Sequence, residues 1–205
     1  HRGTTTIWNL LDPSLGEAHL YRDGEEIEGV GGFPLAFDLP DAPARYRYTH
    51  HLKRSMGGGT GPEEVLTAWD FTSRTPNGDE TSPHVACYEQ EDLPPDQRSC
   101  RIEQVLLLGY DMGHVLDLDN AAAAPATARI RVNAYHQFGA EAAPVAGITV
   151  KVSYDRGRTW QPATVIPVGE GQYDVLYLHP GPGRTVSLHT EAWDRAGNRV
   201  EQTLL

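Results

Sequence analysis

The chain has 205 residues, of which 39% are hydrophobic and 22% charged, and its formal net charge is −11 at pH 7. This length suits one large or two small domains, and the negative charge disfavours binding to nucleic acid or to anionic membranes. No apolar run approaches the roughly 18 residues of a membrane span, so membrane insertion is not expected.

The first half of the sequence predicts short strands separated by turns. Asp23-Gly24 is a strong signal for a two-residue hairpin turn. Aromatic or His residues alternate with other residues over 45–50, which indicates a strand with two distinct faces. Residues 105–111 are apolar at successive positions, which predicts a central strand with both faces covered. The other strands predicted in this half are 4–10, 18–22, 25–28, 34–39 and 65–72.

Cys87 and Cys100 bracket a polar loop that contains two prolines. Two cysteines in a β-rich chain favour one disulfide and hence a secreted, extracellular protein. Closing a loop of this size is worth about 3 kcal/mol in the chain-entropy model. The alternative is two free thiols in a cytosolic protein. Because no C-x-x-C pair is present, redox catalysis and a zinc knuckle have no support.

The second half predicts further strands at 129–135, 172–178 and 185–193. Val150 and Val152 alternate with polar residues before Asp155 and Gly157 break the strand pattern. Asp can bond its own backbone and Gly accepts positive φ, so this stretch predicts a β-hairpin that returns through Trp160.

Regular turn signals without a helical period predict an all-β fold of two β-sandwich domains. The proposed boundary follows the charge, because residues 119–205 contain eight basic and eight acidic side chains. The whole excess of negative charge therefore falls in 1–118, which we interpret as a jelly-roll-like domain with the disulfide loop. We interpret 119–205 as an immunoglobulin- or fibronectin-III-like domain. Since the chain begins at His1 instead of Met, we interpret it as a fragment or a processed product.

The nine histidines do not form a recognisable metal motif. His50 and His51 are neighbours in a predicted strand, so their side chains should point to opposite faces. We therefore expect no cofactor. The alternative is calcium, which prefers clustered oxygen ligands. The acidic candidates for it are Glu89, Glu91 and Asp92, and, more weakly, Asp111, Asp117 and Asp119.

Nucleophilic catalysis lacks a motif here, because G-x-S-x-G, S-x-x-K and a Cys–His signature are all missing from the sequence. Aromatic side chains could instead form a platform for a sugar, although strand aromatics are more often part of a core. Carbohydrate binding is therefore the alternative interpretation of the four tryptophans Trp8, Trp69, Trp160 and Trp193.

The hairpin spacing S-x-D-x-G-x-T-W resembles the Asp-box, a short motif of sialidase propellers and of many secreted β-domains. The resemblance implies that Ser153, Asp155, Gly157 and Thr159 shape the turn and that Trp160 packs beneath it. The motif is structural and lies away from active sites. It occurs once here, whereas a propeller repeats it in every blade, so a propeller is not expected.

Three segments together resemble the C-terminal region of large actinobacterial subtilisin-like serine proteases. They are T-A-W-D-F-T-S-R at 67–74, V-S-Y-D-R-G-R-T-W at 152–160 and A-W-D-R-A-G-N at 192–198. The last pattern is also typical of bacterial immunoglobulin- and fibronectin-like modules. The resemblance implies a piece of a longer secreted hydrolase, distal to its catalytic domain.

The catalytic motifs of that family, D-[ST]-G, H-G-T and G-T-S-M-A, are absent from this sequence. The resemblance therefore assigns no catalytic residue and implies an accessory role. The chain would stabilise or space the catalytic domain of the same polypeptide, or dock a protein substrate or a cell-surface glycan. The runner-up is a carbohydrate- or surface-binding module of another secreted enzyme, and a self-sufficient hydrolase comes third.

Overall fold

The structure is a computed structural model that describes residues 2–5, 16–29, 35–53, 62–76, 101–113, 127–181 and 184–205. The expected all-β class is confirmed, because these residues form antiparallel strands and no α-helix. The described strands are β1 (Arg2–Thr5), β2 (Gly16–Arg22), β3 (Glu25–Ile27), β4 (Leu35–Asp38), β5 (Ala44–Lys53), β6 (Glu64–Ser73), β7 (Leu106–Asp111), β8 (Thr127–His136), β9 (Val145–Ser153), β10 (Gln161–Pro162), β11 (Thr164–Gly169), β12 (Gln172–Leu178), β13 (Ser187–Asp194) and β14 (Arg199–Leu204).

Two sheets carry most of the architecture. The large sheet has eight strands in the order β10-β9-β13-β14-β6-β5-β2-β3, and the small sheet has four in the order β11-β12-β8-β7. A separate two-stranded ladder pairs β1 with β4. Residues alternate between the faces of each strand, so every strand of the large sheet sends one set of side chains inward and the other outward.

The main core lies between the small sheet and strands β9, β13 and β14 of the large sheet. Its residues are mostly Val, Ile, Leu and Ala at alternate positions, which suits the pleated, buried faces of two packed sheets. The arrangement is sandwich-like. The most deeply buried members, each at most 2% exposed, are Leu106, Val132 and Val175 from the small sheet and Val150, Val152, Ala192 and Val200 from the large one.

A second cluster covers the other half of the same inner face. Phe37 and Leu39, which lie in and just after β4, pack there with Leu20 and Tyr46. Along β6, Trp69 contacts the main core while Phe71, two residues on, contacts this second cluster. Since residues two apart share a face, both clusters lie on one side of the large sheet.

The large sheet joins strands from the two ends of the chain. Strand β14 pairs with β6 over six residues, from Arg199 opposite Asp70 to Leu204 opposite Val65. The small sheet likewise joins β7 to β8. Strands on either side of the predicted boundary between 118 and 119 therefore pair in both sheets. The division into 1–118 and 119–205 as folding units stays a prediction.

Local turn chemistry agrees with the sequence where the structure describes it. Asp23 and Gly24 have φ of 52° and 88° and connect β2 to β3. Two consecutive positive φ angles match the twist of paired strands, which explains the Asp-Gly choice. The strand predicted at 172–178 coincides with β12, and the one predicted at 65–72 lies within β6.

Among the described strands, the one predicted at 105–111 does not take the central position that its apolar run indicates. Strand β7 lies at an edge of the small sheet and pairs with β8 alone among the described strands. Its apolar character has another cause, since Leu106 is completely buried in the main core. The indole Nε1 of Trp69 donates a hydrogen bond to the Leu106 carbonyl oxygen at 2.7 Å. The Trp69 side chain of the large sheet thereby gives the Leu106 carbonyl of β7 a hydrogen-bond donor.

Several predicted features lie outside the described residues. They include Cys87 and Cys100 with their loop, Trp8, the acidic group Glu89, Glu91 and Asp92, and Asp117 and Asp119.

Candidate functional site

The outer face of the large sheet is polar and carries aromatic side chains, and no described strand packs over it. Register across five neighbouring strands aligns Trp193, Arg199, Asp70, Arg47 and Tyr21 in one line. We call this line the cross-strand row. Its residues lie up to 178 positions apart in the sequence, and strand pairing alone brings them together.

Ion pairs hold the charged members of the row in place. Arg47 donates from Nη1 to Asp70 Oδ2 at 2.7 Å and from Nη2 to Glu201 Oε2 at 3.3 Å. Arg199 pairs with Glu191 on the adjacent strand. Charge-assisted bonds of this kind fix the direction of a guanidinium group. The centre of the outer face therefore carries hydrogen-bond donors and acceptors in fixed positions.

Aromatic rings stand at both ends of the row. Trp193 is 36% exposed and lies across Gly147 of the next strand. A Cβ atom at Gly147 would approach Trp193 Cζ2 to 2.8 Å, so a larger residue there would force the ring to shift. Tyr21 lies four strands away, which at about 4.8 Å per strand is roughly 19 Å.

A cleft of about 560 Å³ opens beside Tyr21 at one end of the row. The turn between β2 and β3 forms one of its walls. Arg45 Nη2 donates to the Gly197 carbonyl oxygen at 3.1 Å, which ties this region to the turn between β13 and β14. We call this cavity the β2–β3 cleft. Its lining residues are Tyr21, Asp23, Gly24, Arg45, Tyr46, Arg47, Thr49 and Asp70.

The predicted hairpin residues form a hydrogen-bonded turn after β9. Ser153 Oγ donates to Asp155 Oδ1 at 2.7 Å and accepts from the Gly157 N–H at 2.9 Å. Asp155 also accepts from the backbone N–H and the hydroxyl of Thr159, at 2.8 and 2.7 Å. These bonds, chiefly from Thr159 and Ser153, hold the pKa of Asp155 at about 2, below its ordinary 3.8. The carboxylate therefore organises the turn.

Trp160 lies half-buried at the edge of the outer face. A Cβ at Gly157 would stand 3.3 Å from its ring, and its centroid is 5.5 Å from that of His189 on β13. His189 Nδ1 is 2.9 Å from Thr203 Oγ1. Burial holds the pKa of His189 below its ordinary 6.5, against the opposing attraction of Glu201. The indole therefore packs between the hairpin turn and β13. Whether the motif is a true Asp-box stays a prediction.

The terminal A-W-D-R-A-G-N segment owes its shape to one buried carboxylate. Asp194 is 3% exposed and accepts from the N–H groups of Ala196 and Asn198 at 2.9 and 2.8 Å. The Asn198 side-chain amide donates a third bond at 2.7 Å. His136 Nε2 lies 3.5 Å from the same carboxylate. The local sequence pattern does not reveal this group, because His136 is 58 positions away from Asp194.

Of the described histidines, the neighbouring pair His50 and His51 occupies opposite faces of the large sheet, as alternation predicts. His50 aligns with Thr67 on the inner face and His51 with Leu66 on the outer face. His51 Nε2 lies 3.4 Å from Glu64 and His19 Nδ1 lies 2.5 Å from Glu26. Within the described residues, no three His, Cys, Asp or Glu side chains gather as a metal site would require.

Comparisons with protein-family models, with curated proteins and with solved structures found no match. None of the described segments forms a helix long and apolar enough to cross a membrane.

Proposed function

We propose that this chain is a non-catalytic accessory part of a secreted subtilisin-like serine protease. It stabilises or spaces the catalytic domain of the same polypeptide, or docks a protein substrate or a cell-surface glycan. The observation that carries the proposal is the large sheet itself. It draws strands from both ends of the chain into one surface, and its outer face is polar. A broad, rigid surface of this kind suits spacing and docking.

Two serines and two histidines of the described residues support the same proposal, because they are engaged in structural contacts. Ser153 belongs to the hairpin turn, and Ser73 donates to Glu103 at 2.6 Å. His136 Nε2 lies 2.9 Å from the Ala143 carbonyl oxygen, and His189 contacts Trp160. The hydroxyl partner of His189 is Thr203 Oγ1 at 2.9 Å, which faces it directly in the pairing of β13 with β14.

The second candidate is a carbohydrate- or surface-binding module of another secreted enzyme. The β2–β3 cleft favours it, since a cavity of this volume beside an aromatic side chain fits a small ligand.

The finer architecture belongs to the same proposal. We infer a jelly-roll-like arrangement for 1–118 and an immunoglobulin- or fibronectin-III-like one for 119–205. An extracellular location and a disulfide between Cys87 and Cys100 follow from the resemblance and from the cysteine pattern. A mass difference of about 2 Da on reduction would reveal the bond, which is absent if both thiols alkylate without reductant.

The test of the accessory role uses the purified chain and casein or ester substrates. We expect no turnover above that of an inactive control protein. Turnover that co-purifies with the chain and is removed by none of the common serine-protease inhibitors would contradict the proposal. In the parent polypeptide, deletion of these residues should shorten the half-life of activity at elevated temperature or weaken substrate docking, and leave the catalytic motifs untouched.

A further inference from the structure

The β2–β3 cleft is an open depression on the outer face of the large sheet, and its size suits a small ligand. Its volume of about 560 Å³ lies within the range of small-molecule pockets, about 300–1,000 Å³. The hairpin turn at Asp23 and Gly24 bounds it on one side. Strands β5 and β6, which pair over ten residues, provide its floor. The floor is therefore rigid, as a binding site requires.

The charges that line the cleft balance one another. Arg45 and Arg47 supply donors, while Asp23 and Asp70 supply acceptors. Arg47 is fixed by Asp70 at 2.7 Å and by Glu201 at 3.3 Å. A guanidinium group has five N–H donors and a carboxylate has about four acceptor positions. An Arg–Asp pair thus retains capacity to bond hydroxyl groups that both donate and accept.

The chemistry of the lining selects among ligand classes. An apolar ligand would bury the ionised side chains of the cleft without hydrogen-bond partners, which costs free energy. A polyanion would be repelled by the protein, because the overall charge of the chain is −11. A neutral, hydroxyl-rich ligand meets neither penalty. The ring of Tyr21 offers an apolar face for the C–H groups of a sugar, while its hydroxyl can bond the sugar's own.

We propose that the β2–β3 cleft binds a neutral saccharide, held by Tyr21, Arg47, Asp70 and Thr49. This inference rests on the proposed accessory function, and it assigns the docking role to one place and one ligand class. A longer glycan extends from the cleft along the cross-strand row towards Arg199 and Trp193. The roughly 19 Å between the two aromatic rings makes the row a track for several sugar units.

The experiment titrates the whole chain with xylohexaose, cellohexaose and mannohexaose, and with hexagalacturonate as the charged comparator, by isothermal calorimetry. We expect at least one neutral hexaose to bind and hexagalacturonate to bind more weakly. Tyr21→Ala should weaken binding about tenfold or more, which corresponds to about 1.4 kcal/mol. The matched control is Tyr135→Ala, which removes a tyrosine 48% exposed on the outer side of the small sheet. It should leave binding unchanged.

A second variant guards against loss of fold. Thr49→Val keeps the shape of the side chain and removes its hydroxyl, so a smaller loss of affinity without a change in melting temperature supports the site. Binding that is the same in wild type, Tyr21→Ala and Thr49→Val would overturn the proposal. So would a preference for hexagalacturonate, or no binding of any neutral hexaose.

The same preparation separates this proposal from the one on which it rests. Cleavage of casein or of the hexaoses by the chain alone would contradict the non-catalytic role. Absence of both cleavage and saccharide binding would overturn only the cleft. If the chain binds casein and not the sugars, and Tyr21→Ala abolishes that binding, the saccharide proposal is overturned. The cleft would then be a site for protein docking.

Discussion

Asp194 shows how much one side chain determines at the residue scale. Its carboxylate is buried and accepts three hydrogen bonds within the turn between β13 and β14, two from backbone N–H groups and one from Asn198. A buried charge of this kind is tolerated only when its bonds are made. Gly197, with φ of 85°, completes the turn. The D-x-A-G-N sequence is therefore one structural unit.

Removal of this carboxylate should be costly. Asp194→Ala leaves the buried backbone N–H and side-chain amide of Asn198 without their acceptor, and we expect a loss of about 3 kcal/mol in the free energy of unfolding. Urea denaturation followed by fluorescence measures it. The control is Glu170→Ala, which removes an exposed carboxylate from the turn between β11 and β12. It should cost less than about 0.5 kcal/mol. Equal losses in the two variants would contradict this role of Asp194.

Asp155 gives the hairpin turn a dependence on pH. Its folded-state pKa is about 2 and its ordinary value is 3.8. A depressed carboxyl pKa contributes stability that is present above the unfolded pKa and is lost as pH falls towards the folded one. We expect the melting temperature of wild type to exceed that of Asp155→Ala at neutral pH. This difference in melting temperature should shrink between about pH 4 and pH 2.

Thr159→Val is the control for this pH effect, because Thr159 makes the largest contribution to the depressed pKa. The variant should melt lower than wild type at neutral pH and should lose less stability on acidification. Melting curves recorded across this pH range test both variants. A constant difference between wild type and Asp155→Ala down to pH 2 would show that the carboxylate is not engaged as described.

At the element scale, Trp69 links the two sheets. Its indole bonds the Leu106 carbonyl of edge strand β7 at 2.7 Å, and its ring stacks on Tyr48 at 5.6 Å. Trp69→Phe keeps an aromatic ring and deletes the bond, so we expect a loss of about 1–2 kcal/mol. Amide exchange should accelerate in β7 more than in β12. Unchanged exchange in β7 would mean that the indole does not hold the edge strand.

Trp160 tests the hairpin as an element. Its ring is half-buried between the hairpin turn and His189, so Trp160→Ala should cost about 2 kcal/mol, less than the 3–5 kcal/mol of a fully buried aromatic. Trp160→Phe should recover part of the loss. Thermal melting measures both. Melting of Trp160→Ala at the wild-type temperature, together with quenching of Trp160 fluorescence by a polysaccharide, would instead assign this ring to ligand binding.

The strands themselves were largely predictable, because each carries its signal within a few residues. The Asp-Gly turn after β2 and the alternation in β5 need no tertiary information. The position of β7 could not be predicted in this way. An apolar run fits a central strand as well as an edge strand whose faces are covered, and only the strand pairing distinguishes the two positions.

The candidate site was far less predictable, for a reason that belongs to the whole molecule. Alternation showed that Arg45 and Arg47 share a face of β5, but it does not reveal which strands lie beside it. The cross-strand row requires β14 to pair with β6, and those strands lie about 130 positions apart in the sequence. The β2–β3 cleft likewise combines the turn between β2 and β3, which is local in sequence, with Asp70 from the distant strand β6. Long-range pairing, which local pattern cannot specify, therefore creates the proposed site.

The pairing of β14 with β6 is the claim on which the outer face, the row and the proposed docking surface all depend. Interstrand nuclear Overhauser effects across that pair test it most directly. We expect cross-peaks that place Ala68 opposite Glu201 and Thr67 opposite Gln202, with slow amide exchange in both strands. Absence of these cross-peaks, with β14 and β6 assigned to independently exchanging sheets, would contradict it.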